Sequence, residues 1–337
     1  MATEDERYRA SSQYRLWSFA PTDLQELRAK TNSLAKQQIA PRLTADPLPE
    51  FLTADEELRL FCELPTEIRS TAAVFFRRFY VTNSVMTYPP TELLKTSLFF
   101  GCKAEGFYIR LGKLAEKLSG TTADQILAGE FLLCQGIRFA FDVRHPFRAL
   151  EGAILELKRK YPEEEARIGK AHARAREILK FSPLLTDAYF HYTPSQIMMA
   201  SLQMVDAGLV DMLLPGPPSN ETDDVIGAHT DMREKILEAI DGCRAMLEEE
   251  PPERMGGYWE APETAKAMKP LRKKLQKCRD PDRVDLVALQ RARREQAMSK
   301  GPAPPAAKQD NDVFGGEPRD IKRRKVGGQD DVFGPPL

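Results

Sequence analysis

Two lone charges of opposite sign stand on otherwise apolar helical stretches between Thr66 and Phe141, and no other feature constrains the chain as much. The run LLKTSLFFGCKAEGF (93–107) is largely apolar up to Lys103. Phe99 and Phe100 lie one helical turn before that lysine, and Phe107 one turn after it if the helix reaches so far. The next helical stretch, ADQILAGEFLLCQGIRF (123–139), carries the stripe Ile126, Leu133, Ile137, with Glu130 in the same line four residues after Ile126. A single charge on an apolar helix face is costly unless something pairs with it. Two readings follow. Lys103 and Glu130 form an internal salt bridge at the edge of a core, or both point into a groove that receives another protein.

The surrounding sequence is helical throughout. TEIRSTAAVFFRRFYVTN (66–83), with Thr66 as N-cap, spaces Ile68, Ala72, Phe75 and Phe79 by four, three and four, the pattern of a central core helix. Thr91 with Glu92 opens the Lys103 helix after Tyr88–Pro89–Pro90, and LGKLAEKL (111–118) is a short amphipathic helix. Ser119–Gly120 breaks the chain, and Thr122 with Gln125 supplies a capping box for the Glu130 helix. Earlier, Thr22 introduces a helix with Leu24, Leu27, Thr31 and Leu34 at helical spacing, Trp17 and Phe19 serving as anchors onto the body. PRLTADPLPEF (41–51) is a proline-rich connector. DVRHP (142–146) reads as a linker, because Pro146 disfavours helical geometry at His145.

Beyond the linker the alternation of short helices and breakers recurs. RALEGAILELKRKY and PEEEARIGKAHARAREIL are followed by TPSQIMMASLQMVDAG, with Thr193 as cap, Pro194 at the first helical position, Gln196 completing the box and Gly208 after the end. PGPPSNETDD (215–224) is a loop before a helix over 225–250. The fold class is therefore all-α, stabilised mainly by buried apolar faces.

Several function classes drop out. The chain carries 49 basic against 50 acidic side chains, so no global charge argues for nucleic acid. No apolar run reaches a membrane span, and the first residues lack the hydrophobic segment of a signal peptide. The five cysteines (62, 102, 134, 243, 278) are widely spaced without a CxxC, which suits a reducing compartment. Nucleotide-binding, kinase, zinc-protease and serine-hydrolase motifs are absent, and His145, His172, His191 and His229 have no metal spacing. The expectation is a binding protein with no catalytic residues, metal or cofactor of its own.

FFRRFYVTNSVMTYPP (75–90), LFFGCKAEGF (98–107) and ILAGEFLLCQGIRFAFDVRHPFRALEG (126–152) together resemble the first cyclin box. LTDAYFHYTPSQIMMASL (185–202) resembles the opening of the second box, and SSQYRLWSF (11–19) is similar to the amino terminus of the cyclin H type. The resemblance covers about residues 11–280 and implies two tandem five-helix boxes. The implied organisation is an extension over 1–50, a first box over 51–145, a second over 146–250, basic helices over 251–300 and a disordered tail over 301–337. It also implies a regulatory subunit of a cyclin-dependent kinase of the CDK-activating type, acting in the TFIIH kinase module on the RNA polymerase II tail and on other kinases. The partners would be the kinase catalytic subunit, a ring-finger assembly subunit and the TFIIH core, in the nucleus. Lys103, Glu105 and Glu130 would be the kinase-binding residues. The alternative is a cyclin-fold transcription factor of the TFIIB kind, which binds DNA and protein without a kinase. The Lys103/Glu130 pair favours the kinase regulator.

This sequence departs from the family between residues 54 and 65, where only about two turns fit a first helix that should be full length. Phe75, Phe76 and Phe79 are the residues such a loss would uncover, and the amino-terminal helix, with Trp17, Phe19, Leu24 and Leu27, is expected to cover them in part. Residues 266–300 hold twelve Lys and Arg against four Asp and Glu, a weak nucleic-acid signal without stacking aromatics. The resemblance implies instead a carboxy-terminal helix that packs back on the body. The tail from Gly301 is rich in Pro, Gly and Asp, repeats DVFG at 312–315 and 331–334, and carries a nuclear-localisation candidate in Lys322, Arg323, Arg324 and Lys325. A chain truncated after Lys300 should activate the partner kinase as the full chain does in a purified assay. Loss of that activation would place the tail in the catalytic assembly.

Overall fold

The computed structural model describes residues 3–39, 66–118, 121–216, 223–253 and 285–300, with four isolated positions at 266, 270, 273 and 277. The connector over 41–51, the shortened segment 54–65, Ser119–Gly120, most of the first basic stretch, the DVFG repeats and Lys322–Lys325 lie outside them. All regular structure among the described residues is helical. Two short helices that the sequence reading did not anticipate, α1 (Glu4–Ala10) and α2 (Ser12–Trp17), precede α3 (Pro21–Ile39). Each is short because capping residues divide the segment. Thr3 and Glu6 form a capping box for α1, and Ser11 accepts from the Tyr14 N–H to start α2.

The centre is α4 (Thr66–Thr82), which is buried around nearly its whole circumference. It packs against α3 and α5 (Pro90–Ala104), and α6 (Leu111–Lys117) follows α5. Pro90, not Thr91, is the first residue of α5, since proline's fixed φ suits that position and its missing N–H is not needed there. The expected single helix over 123–139 is two, α7 (Ala123–Ala128) and α8 (Glu130–Gly136), divided at Gly129. The break comes from α5. Thr96 Oγ1 donates to the Ile126 carbonyl at 2.7 Å, occupying the acceptor that a continuous helix would offer to Glu130. Ile126, Leu133 and Ile137 are nevertheless all fully buried, Ile126 in a small cluster with Phe99 and Leu114 and the other two in the main core.

Phe75, Phe76 and Phe79 are completely buried in one cluster with Trp17, Leu24, Leu93, Leu133 and Ile137, and Phe19 and Leu27 pack against it. The amino-terminal segment thus does contribute cover to those rings. A second apolar core is built by α9 (Phe147–Lys160), α10 (Glu165–Leu185), α12 (Pro194–Gln203), α13 (Ala207–Leu213) and α14 (Asp223–Glu248), with the single turn α11 (Ala188–His191) before α12. The Thr193–Gln196 capping box forms as expected, but α12 ends at Gln203 and Gly208 lies inside α13. The start of the last described helix, α15 (Leu286–Lys300), docks on α7. Gln290 donates to the Leu127 carbonyl at 3.0 Å and Arg291 pairs with Asp124 at 3.1 Å. From Arg293 the chain forms a separate unit, of which the end of α15 is described.

Two buried arginines on α4 tie the first core to its neighbours. Arg77 donates to the Leu184 carbonyl at 2.7 Å, to the Thr186 carbonyl and to Asp187 Oδ1 at 2.6 Å. Arg28 of α3 holds the same Asp187 by two bonds of 2.7 Å. Burial alone would raise the Asp187 carboxyl, but the Arg28 hydrogen bond and the charges of Arg77 and Arg28 outweigh it and hold it below the usual range. Arg78 donates to the Ala140 carbonyl at 2.9 Å and lies 5.5 Å over the Trp17 ring. The segment 142–145 carries no regular structure, and His145 is spent on both sides. Its Nε2 is 2.7 Å from Thr71 Oγ1 and its Nδ1 is 2.8 Å from the Tyr189 hydroxyl.

Arg77→Met should destabilise the protein by about 3 kcal/mol in urea unfolding, because two carbonyls and Asp187 lose a buried charged donor. Breaking the exposed Lys160–Glu156 pair should cost far less. Equal effects would mean that Arg77 is not a tie between the two cores. A second expectation concerns acid. Burial, aided by the Arg78 charge, lowers the His145 pKa to about 3, so the ring stays neutral in the folded chain while the unfolded chain takes up a proton near its ordinary value of 6.5. The stability this contributes is full above that value and is lost as pH falls towards 3, about 2 kcal/mol of it by pH 5. Wild type should therefore lose more stability between pH 7 and pH 5 than His145→Gln. Equal losses would contradict the assignment.

Candidate functional site

Lys103 sits in the last turn of α5, where the helix dipole favours a cation. The helix stops there because Gly106 adopts φ +67°, a conformation that strains residues with a side chain. The Phe107 N–H reaches back to the Cys102 carbonyl at 2.8 Å and the Gly106 N–H to that of Lys103 at 3.2 Å, the paired bonds of a Schellman end. Phe107 is therefore outside the helix and half exposed.

Glu130 stands at the first position of α8, where the dipole favours an anion. The break at Gly129 is what gives it a helix start of its own. A side-chain carbon at Gly129 would come 2.8 Å from Thr96 Oγ1, so glycine lets the two helices approach. Lys103 and Glu130 meet in an ion pair, with side chains 48% and 28% exposed. The lysine ammonium also lies 4.6 Å from the Phe99 ring centroid and 5.8 Å from that of Phe100.

Aromatic side chains surround the pair. After α8, Arg138 and Phe139 both take left-handed backbone, φ 55° and 54°, which is uncommon away from glycine. The turn is braced from below, since Arg138 lies 5.3 Å over the Trp17 ring, which also carries Arg78, and Arg78 holds the next carbonyl at Ala140. It presents Phe139, 52% exposed, and Phe141, 39% exposed, at the surface. Phe141 stacks on Phe100 at 5.4 Å and on Phe139 at 6.3 Å. On the other side of Lys103 a shallow hollow of about 290 Å³ is lined by Phe99, Cys102, Phe107, Tyr108 and Ile109. Burial raises the thiol pKa of Cys102, and burial with the Glu130 charge raises that of Cys134, so neither is poised as a nucleophile. Such a face can bind; it has no evident means of bond-breaking chemistry.

Glu105 does not join the ion pair. Its carboxylate accepts the Thr71 hydroxyl and lines a different hollow, a groove of about 1100 Å³ beside the linker that also includes Tyr8, Arg144, His145 and Arg148. Of the three residues singled out in the sequence, two are thus together and the third is turned towards α4. The sequence reading missed Arg77, Arg78, Phe139 and Phe141. The signal for the arginines was present, since FFRRFY places two charges in an apolar run just as the Lys103 stretch places one. Among the described residues no group of His, Cys, Asp or Glu is arranged to hold a metal ion, and no helix is long and apolar enough to cross a membrane.

Residues 145–248 match the cyclin C-terminal domain family. The chain is 34% identical to cyclin CCL1 of Saccharomyces cerevisiae over 63% of its own length and 61% of that protein's. It is 32% identical to cyclin mcs2 of Schizosaccharomyces pombe over 58% of itself and 69% of that protein. With cyclin-H of Xenopus laevis it shares 30% identity over 58% of itself and 67% of that protein. Among solved structures it is similar to a chain of the CAK complex from Chaetomium thermophilum bound to ATP-γ-S, with 50% identity and a TM-score of 0.77 over 93% of this chain and 100% of that one. A chain of the yeast TFIIK (Kin28/Ccl1/Tfb3) complex is 30% identical with a TM-score of 0.56, over 71% and 100% of the two chains.

Proposed function

Because this chain belongs to the cyclin family, alongside the cyclin H proteins, we propose that it is the regulatory subunit of a cyclin-dependent kinase of the CDK-activating type. The two apolar cores are read as tandem cyclin boxes, the first over 51–145 and the second over 146–250. The kinase's regulatory helix docks on the face around Lys103 and Glu130. The observation that carries this reading is an ion pair at the centre of an exposed aromatic surface. A half-exposed pair contributes about 0–1 kcal/mol to stability, too little to explain two lone charges on apolar helices. Covered by a partner it would lose its water and strengthen, while Phe139, Phe141 and Phe107 offer the apolar area of an interface. Large aromatic patches left open to water are otherwise unfavourable.

The chain supplies no chemistry itself; ATP and Mg²⁺ belong to the kinase. A kinase is active when its helix C places a glutamate against the ATP-orienting lysine, and a cyclin promotes that state by binding it better than the inactive one. The similarity to chains of a CAK complex and of TFIIK supports a kinase subunit and a third, ring-finger assembly subunit as partners. It also supports a place in the TFIIH kinase module, acting in the nucleus on the RNA polymerase II tail and on other kinases. Lys322–Lys325 are the proposed import signal.

Lys103→Glu should weaken binding of the kinase subunit by about 2–5 kcal/mol, measured by calorimetry, while the circular dichroism and melting of the free chain stay close to wild type. Unchanged affinity, or unfolding of the free chain, would remove Lys103 from the interface.

A further inference from the structure

Glu105, which the family resemblance makes a kinase contact, is the last member of a part-buried hydrogen-bond series whose direction can be assigned. A carboxylate only accepts, so the bond between Thr71 and Glu105 uses the single proton of the Thr71 hydroxyl. Thr71 Oγ1 then has only acceptor capacity left for its second neighbour, and His145 Nε2, at 2.7 Å, must carry a hydrogen. A neutral imidazole has one such hydrogen, which leaves Nδ1 as an acceptor and requires the Tyr189 hydroxyl, at 2.8 Å, to donate. The series runs Tyr189 to His145 to Thr71 to Glu105, and each step fixes the next. Thr71 is fully buried and Tyr189 nearly so, so a break at either hydroxyl leaves a polar atom that water reaches poorly, while the Glu105 end of the series is exposed. Burial keeps the imidazole neutral, as the assignment requires.

We infer that Thr71 and His145 are positioning residues for Glu105, forming a relay that lets the second core, through Tyr189, fix the end of the helix that carries Lys103. Glu105 is the C-cap of α5, two residues after Lys103 and next to the left-handed Gly106, so holding its carboxylate holds the last turn of that helix. Tyr189 belongs to α11, which leads into the second core, and His145 to the linker. The relay thus runs from α11 and the linker to the end of the helix that carries Lys103. The inference rests on the reading of Glu105 as a kinase contact.

Two measurements on the full chain test it. The first needs no kinase. Nitrogen NMR of the free protein should show His145 as one tautomer, protonated at Nε2, with that preference lost in Tyr189→Phe and in Thr71→Val. A mixed or Nδ1-protonated ring in wild type would overturn the relay. The second uses the kinase subunit that co-purifies with the chain. Glu105→Ala should weaken binding roughly tenfold, and Thr71→Val or Tyr189→Phe roughly three- to fivefold. In the Glu105→Ala background neither should add a further loss, as expected of residues acting through one another. Losses that multiply, or a Tyr189→Phe variant that melts lower but binds normally, would make the series merely structural. If Glu105→Ala binds normally while Lys103→Glu does not, this inference falls and the docking face stands. If both bind normally, the docking face falls as well.

Discussion

Two guanidinium groups buried side by side on α4 fix the geometry that the rest of the described chain depends on. Adjacent residues on a helix point about 100° apart, so Arg77 and Arg78 reach in different directions from one rigid rod. Burying a charge is expensive, and here the cost is offset in part by oxygens at particular places. Arg77 takes the turn at Leu184–Asp187, and Arg78 takes Ala140. Carbonyls cannot move without moving the chain, so these bonds set where the second core and the segment before the linker lie relative to α4. An apolar pair of the same volume would fill the space without that directional demand.

The consequence reaches the surface. Arg78 and Arg138 both lie over Trp17, so the ring from the amino-terminal segment serves as the floor for the turn that follows α8. Left-handed backbone at Arg138 and Phe139 costs on the order of 1–2 kcal/mol per residue, offset by the Arg138 contact with Trp17 and the Arg78 bond to Ala140. The product is the outward presentation of Phe139 and Phe141 next to Phe100, the ring under Lys103. The aromatic face is therefore built from the inside by a cation–aromatic stack, and its ionic centre by two helix ends facing each other with complementary dipoles. A regulatory subunit needs this kind of rigidity, because it shifts a kinase's equilibrium only by the difference in its affinity for the two states.

What the sequence displays and what it conceals divide by distance along the chain. The Ile68–Ala72–Phe75–Phe79 stripe, the capping boxes at Thr122 and Thr193 and the break before Pro146 all follow from local spacing, and the pairing of Lys103 with Glu130 is one of two readings their lone charges leave open. The break at Gly129 does not, because its cause is a hydroxyl on α5, thirty residues upstream of the carbonyl it captures. The orientation of Glu105 is likewise decided by Thr71, which helical periodicity alone does not bring into view. Phe139 and Phe141 could be read as apolar, but not as exposed, since the left-handed turn that turns them out is imposed by Trp17 from the far end of the first core.

The central claim, that the face around Lys103 and Glu130 receives the kinase, is tested most directly by hydrogen–deuterium exchange of the chain alone and bound to its kinase subunit. The account predicts slowed exchange on binding in the last turns of α5 and the loop to Phe107, and from Gly129 to Phe141, with the helices α9, α10 and α12 little changed. Protection confined to the second core, with the Lys103 and Glu130 segments exchanging as in the free chain, would contradict it.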